Sequence, residues 1–133
     1  PVSVHSIVKG YVDSLYELRK PVKAAPDQLI HGDLNPENIL IAKGLPPAFI
    51  DVSPFWGPPE LAMAIFANWI GPRQGDAAVL GYFRDVPNFE QMLVRAAIRM
   101  LLVMSDGCNL GGWETCSEKQ AAEIVINFVD RVD

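Results

Sequence analysis

The sequence predicts a mainly helical α+β fold with a small β-hairpin. Two observations lead there. Apolar residues recur with helical spacing at the start of the chain and through most of its second half. Between those regions, residues 28–50 hold three short strand-like runs separated by turn-forming Gly, Pro and Asn. At 133 residues, half of them hydrophobic, the chain supports one domain, 1–133, with a real core.

Val4 to Lys20 reads as one amphipathic helix whose stripe is Ile7, Val8, Tyr11, Val12, Leu15 and Leu18. Gln28–Ile30, Ile39–Ala42 and Ala48–Ile50 are the strand candidates, and Gly44-Leu45-Pro46-Pro47 turns the chain between the last two. Glu60 to Ile70 is a helix that turns Leu61, Ala64, Ile65, Asn68 and Trp69 inward and stops at Gly71-Pro72. A short helix from Asp76 to Phe83 precedes a long one from Asn88 to Met104, buried through Met92, Leu93, Ala96, Met100 and Val103. The last helix runs from about Glu118 to Val132, capped by Ser117 or Thr115, each with Gln or Glu three residues on.

Composition excludes several classes. A net charge of −5 with no basic patch argues against a nucleic-acid partner. No apolar run is long enough to span a bilayer, so no membrane partner is expected. Cys108 and Cys116 lack a CxxC partner and nearby histidines, which argues against zinc; their spacing permits a disulfide without establishing one. With no signal peptide in view, reduced thiols in a cytoplasmic protein are the expectation.

One stretch carries chemistry. His31-Gly32-Asp33-Leu34-Asn35-Pro36-Glu37-Asn38-Ile39-Leu40 is followed, thirteen residues after Asn38, by Asp51 in Phe49-Ile50-Asp51. Residues 34–37, with Pro36 among them, form a tight loop that lets Asp33 and Asn38 face one site from its two ends. Any one of these residues alone reads as an Asx-turn or a helix cap. Together they make an oxygen-ligand set at the spacing used to hold a metal–nucleotide and to orient an attacking hydroxyl.

HGDLNPENIL followed by FID resembles the aminoglycoside phosphotransferase and choline kinase-like family. The likeness is specific over residues 28–51, fair to about Trp69 and diffuse elsewhere. It implies the C-terminal lobe of a protein kinase-like fold, with the β-hairpin carrying the catalytic loop. Asp33 is then the catalytic residue, which orients the hydroxyl of a small-molecule substrate towards the γ-phosphate of ATP. Asn38 and Asp51 are the Mg²⁺ ligands, both hard oxygen donors. His31 is expected to brace the catalytic loop by hydrogen bonds rather than to transfer protons. Asn35 reads equally as a loop residue and as a substrate-side contact.

The chain also departs from that pattern. Relatives carry an Asp-Leu-Ala opening the helix after the metal-binding Asp; here Pro59-Glu60-Leu61-Ala62 stands there. Glu60 then either replaces that Asp as a support of the loop or serves as a first-turn carboxylate favoured by the helix dipole. The thirty residues before His31 hold no Gly-rich loop and no Val-Ala-Ile-Lys-like strand. The expectation is therefore a C-terminal lobe separated from its nucleotide-binding N-terminal lobe and inactive alone. Its apolar interlobe face would be covered by that lobe or by a second copy. The mild acidity is compatible with a cationic acceptor such as an amino sugar or choline.

Further positions keep two readings. Arg95 and Arg99, one turn apart, are phosphate ligands or, more simply, a solvated or ion-paired face. Glu118, Glu123 and Asp130 meet substrate amines or form an ordinary solvated helix surface. Trp56, Trp69 and Trp113 read as packing residues, with Phe55-Trp56 the aromatic pair near enough to Asp51 to line a cleft. A noncatalytic kinase-like module acting through partner binding or self-association is the alternative function. An unrelated metal-dependent hydrolase using Asp33 and Asp51 is a third, but it lacks the His-rich set many such sites use.

Overall fold

The computed structural model describes residues 6–104 and 117–131. Within them the chain is mainly helical α+β, with four α-helices and two small antiparallel two-stranded sheets. The helices are α1 (Ser6–Glu17), α2 (Pro59–Ile70), α3 (Phe89–Met104) and α4 (Ser117–Asp130). The strands are β1 (Gln28–His31), β2 (Ile39–Leu40), β3 (Ala48–Phe49) and β4 (Pro54–Gly57). The segment expected as a helix over Asp76–Phe83 is a 3₁₀ turn over Ala78–Phe83, after a shorter one at Pro72–Gln74. No described helix is long and apolar enough to cross a membrane. Cys108, Cys116, Trp113 and Thr115 lie outside the described residues.

Helix α3 is the centre of the core, packed by α1, α2 and α4. Phe89, Met92, Leu93, Val94, Ala96, Ala97, Ile98 and Leu101 are buried, so the helix is covered on more than one face. Val103, expected inside, is 62% exposed, and Met100 is only half-buried. The one-stripe reading failed because a helix packed on several sides has no single apolar stripe to follow. Val8, Val12 and Leu15 of α1 and Leu61, Ala64, Ile65 and Ala67 of α2 close two sides. A run of rings ties the rest together. Phe83 stacks on Phe89 at 5.5 Å between centroids, while Phe66 meets Phe83 and Phe128 meets Phe89 edge-on.

Residues 18–27 hold Pro21 and Pro26 and form neither helix nor strand. Side chains from two helices therefore satisfy much of their backbone. Gln91 accepts from Lys20 N and donates to Leu18 O, Arg95 donates to Lys20 O, and Asn88 donates to Lys23 O. Glu60 Oε1 accepts from Ala25 N at 3.0 Å. The chain thus reaches β1 in a fixed position.

The sheet pairing differs from the expected arrangement. β2 and β3 do form a hairpin, with Ile39 opposite Phe49 and Leu40 opposite Ala48, but both strands are shorter than predicted. β1 pairs instead with β4, a strand the sequence reading missed, with Leu29 opposite Trp56 and Ile30 opposite Phe55. The loop after β1 therefore links two sheets. Pro54 and Pro58 obscured β4, although a proline is tolerated as the first residue of a strand.

Candidate active site

Gly32 turns the chain out of β1 under close constraint. Its N–H donates to Ser53 O at 2.7 Å, and a Cβ at this position would meet that same oxygen at 2.7 Å. Only glycine lets the segment after Asp51 pass so near. Asp33 follows, half-buried, and the next five residues bend back around it.

Two asparagines make that bend. Asn35 is 4% exposed and caps the 3₁₀ turn Pro36–Asn38, its Oδ1 accepting from Glu37 N at 2.9 Å. Its Nδ2 donates to Asp33 O at 3.1 Å and to Asp33 Oδ1 at 3.3 Å. Asn38, 7% exposed, donates its Nδ2 to Asp33 O at 2.9 Å and to Asp33 Oδ2 at 3.3 Å. Each carboxylate oxygen of Asp33 thus faces one amide donor, which fixes the plane of the carboxylate. Because Asp33 offers Asn38 only acceptors, the amide nitrogen must face it and the amide oxygen must point elsewhere. Among the described residues that oxygen makes no hydrogen bond.

Ile50 joins the two halves of the site through its main chain. Its N–H donates to Asn38 O at 3.0 Å, and its carbonyl lies 2.9 Å from His31 Nε2. His31 Nδ1 accepts from Asp33 N at 3.1 Å, so the neutral ring with its proton on Nε2 satisfies both contacts. His31 therefore bridges the loop to the residue before Asp51. Asp51 itself is exposed and adopts a left-handed backbone, φ 47°, which Asp tolerates better than most residues. Its carboxylate makes no hydrogen bond among the described residues.

The structure brings His31, Asp33, Asn38 and the residue bonded next to Asp51 into one hydrogen-bonded unit. Asn35 lies within it as a buried cap. Glu60 lies outside it: the carboxylate is 6% exposed, bonds Ala25, and reaches no residue of the 31–38 loop. Among the described residues, no three His, Cys, Asp or Glu side chains gather as a metal site. Asn38 Oδ1 and the Asp51 carboxylate nonetheless suit a hard cation that takes its remaining ligands from phosphate oxygens and water.

A cleft of about 360 Å³ opens beside Asp33, lined also by Ser53, Trp69, Arg99 and Met100. The acidic residues on α4 do not reach it. Glu118, expected either at solvent or against substrate amines, is 6% exposed and pairs with Arg73 at 2.7 Å. Arg73 also lies over the Trp69 ring, 3.4 Å from its centroid. Glu123 accepts from Tyr11 Oη at 2.7 Å. Trp56, expected as a packing residue, is 69% exposed.

Sequence reading missed Ile50 and Ser53, which act through main-chain atoms and leave no side-chain signature. Gly32 could have been found, since a glycine directly after a strand marks close backbone approach. No protein-family model, curated protein or solved structure matches the chain.

Proposed function

We propose that the chain is the C-terminal catalytic lobe of an ATP-dependent phosphotransferase acting on a small hydroxyl compound. The observation that carries this is the unit built by His31, Asp33, Asn38 and Ile50, which holds the Asp33 carboxylate in a fixed plane, turns the Asn38 amide nitrogen towards it and ties down the residue before Asp51. Each Asp33 oxygen keeps a lone pair for a substrate hydroxyl, so Asp33 orients the nucleophile. In a loose phosphoryl-transfer transition state, that positioning matters more than outright proton removal by a carboxylate. Asn38 and Asp51 are the residues that would hold Mg²⁺, which when bound neutralises charge on the nucleotide phosphates. His31 and Ile50 keep those groups in register.

The face around the site supports a lobe that works against a partner. Of the 13 exposed large hydrophobic residues among those described, nine lie between Leu29 and Trp56. Two-stranded ladders with such side chains at solvent are marginal unless something covers them. An N-terminal nucleotide-binding lobe is the partner proposed here, and the chain alone is then inactive.

The position of Glu60 favours a second reading. Its carboxylate supports the approach to β1 and leaves the loop without a carboxylate from below. That is compatible with a kinase-like module that binds a partner or itself through the Leu29–Trp56 face.

Phosphoryl transfer by the gene product purified from its source cells distinguishes the two. Labelled ATP with a panel of hydroxyl compounds should give product that Asp33→Asn abolishes. Transfer unchanged by Asp33→Asn, or none with any acceptor, would reject the first reading.

A further inference from the structure

A second cleft, of about 500 Å³, opens where the end of α1 meets β4, α2 and α3. Its chemistry is not that of the Asp33 site. Arg19, Arg95 and Arg99 line it, and the remaining wall is apolar, including Phe55, Leu61 and Ile98.

Three cations converge here, and none of the described residues that line the cleft is a carboxylate. None of them is in an ion pair among the described residues. Arg95 bonds the carbonyls of Gln91 and Lys20 and the Gln91 amide oxygen, all neutral. Burial, and then the charge of Arg19, hold its pKa below the ordinary arginine value, the direction expected of an uncompensated cation. Arg99 lies 5.1 Å from the centroid of Phe55, and its Nε is buried without a hydrogen-bond partner. Arg19 stacks on Tyr16, and its guanidinium donates no hydrogen bond among the described residues. In a chain of net charge −5, such a gathering is not general surface basicity.

We propose that this cleft binds a small anionic amphiphile, a carboxylate or phosphate monoester on a compact apolar body. Arg99 and Arg19 receive the anionic head, for which guanidinium groups offer paired donors. Arg95 adds charge while it keeps residues 18–20 in place. Phe55, Leu61 and Ile98 take the apolar body, and the volume falls within the range of small-molecule sites. Arg99 also lines the Asp33 cleft, so an occupant here touches a residue of both clefts. The proposal stands whether or not the chain transfers phosphate.

Calorimetric titration of the chain with octyl phosphate, octanoate, octanol, octyltrimethylammonium and inorganic phosphate, each below micelle formation, tests it. Octyl phosphate and octanoate should bind at least about tenfold tighter than octanol, and octyltrimethylammonium should show no saturable binding. Arg19→Gln and Arg99→Gln should each weaken octyl phosphate by roughly tenfold at an unchanged thermal midpoint. Arg19 is exposed, so its variant remains informative should Arg99→Gln fail to fold. Equal affinity for octanol, inorganic phosphate binding as tightly as octyl phosphate, or an unchanged affinity in Arg19→Gln would overturn the proposal.

Discussion

Asn38 donates its side-chain amide to the main-chain carbonyl of Asp33 at 2.9 Å and to the Asp33 carboxylate at 3.3 Å. Together with Asn35 it closes the loop and orients the group at its centre. Asn38→Ala should leave the Asp33 carbonyl with the Asn35 amide alone, take one donor from the Asp33 carboxylate, and cost about 1–3 kcal/mol in chemical denaturation. Asn38→Asp should be worse, because it sets one carboxylate against another. Aspartate tolerated as well as the wild-type residue would mean that the amide does not hold the loop.

At Gly32 the limit is steric. The Ser53 carbonyl stands 2.7 Å from where a Cβ would be, and backbone cannot swing aside as a flexible side chain can. Gly32→Ala is expected to lower stability by about 1–3 kcal/mol. Hydrogen exchange should speed up at the Gly32 amide, whose acceptor is that same carbonyl. An unshifted thermal midpoint would show that the two segments can separate freely.

Glu60 separates a hydrogen bond from a helix-dipole effect. Glu60→Gln keeps an acceptor for Ala25 N and removes the charge, so the expected loss is under about 1 kcal/mol. Glu60→Ala orphans the Ala25 N–H and should cost about 1–3 kcal/mol. Equal losses in the two variants would assign the effect to the dipole instead.

Arg73 and Glu118 form an ion pair with side-chain exposures of 11% and 6%. Removing Arg73 takes an ion-pair partner from a carboxylate that is 6% exposed. Arg73→Met alone should cost about 3–5 kcal/mol, and Arg73→Met with Glu118→Leu should recover much of that. Thermal unfolding of the two variants and the parent decides the point; a double variant no better than the single would contradict it.

Leu29 and Trp56 stand opposite each other in the β1–β4 pair and are 63% and 69% exposed. On the self-binding reading, charging both, with Leu29→Glu and Trp56→Glu, should reduce self-association in sedimentation velocity with little change in stability. Persistent association of the double variant would place the contact elsewhere.

The helices were legible because their apolar spacing reflects burial: Val8, Val12 and Leu15, and Leu61, Ala64 and Ile65, all fall in the core. The dense covering of α3 was not, since several packed neighbours erase a single stripe. β4 was hidden by the proline that opens it and the one that follows it. In the candidate site, Asp33, Asn38 and Asp51 were read from residue type and spacing. The clamp through Ile50 was not, because main-chain donors and acceptors look alike at every position. Glu118 was misread because its partner Arg73 is forty-five residues away in sequence, beyond any local pattern.

Amide-resolved NMR with Mn²⁺ as a paramagnetic stand-in for Mg²⁺, with and without ATP, bears on the proposed metal–nucleotide site. Broadening should concentrate on the amides around Asn38, Ile50 and Asp51, strengthen when ATP is added, and vanish in Asp51→Ala. Broadening spread evenly over surface carboxylates such as Asp13 and Asp85, with no response to ATP, would mean that Asn38 and Asp51 do not form the site.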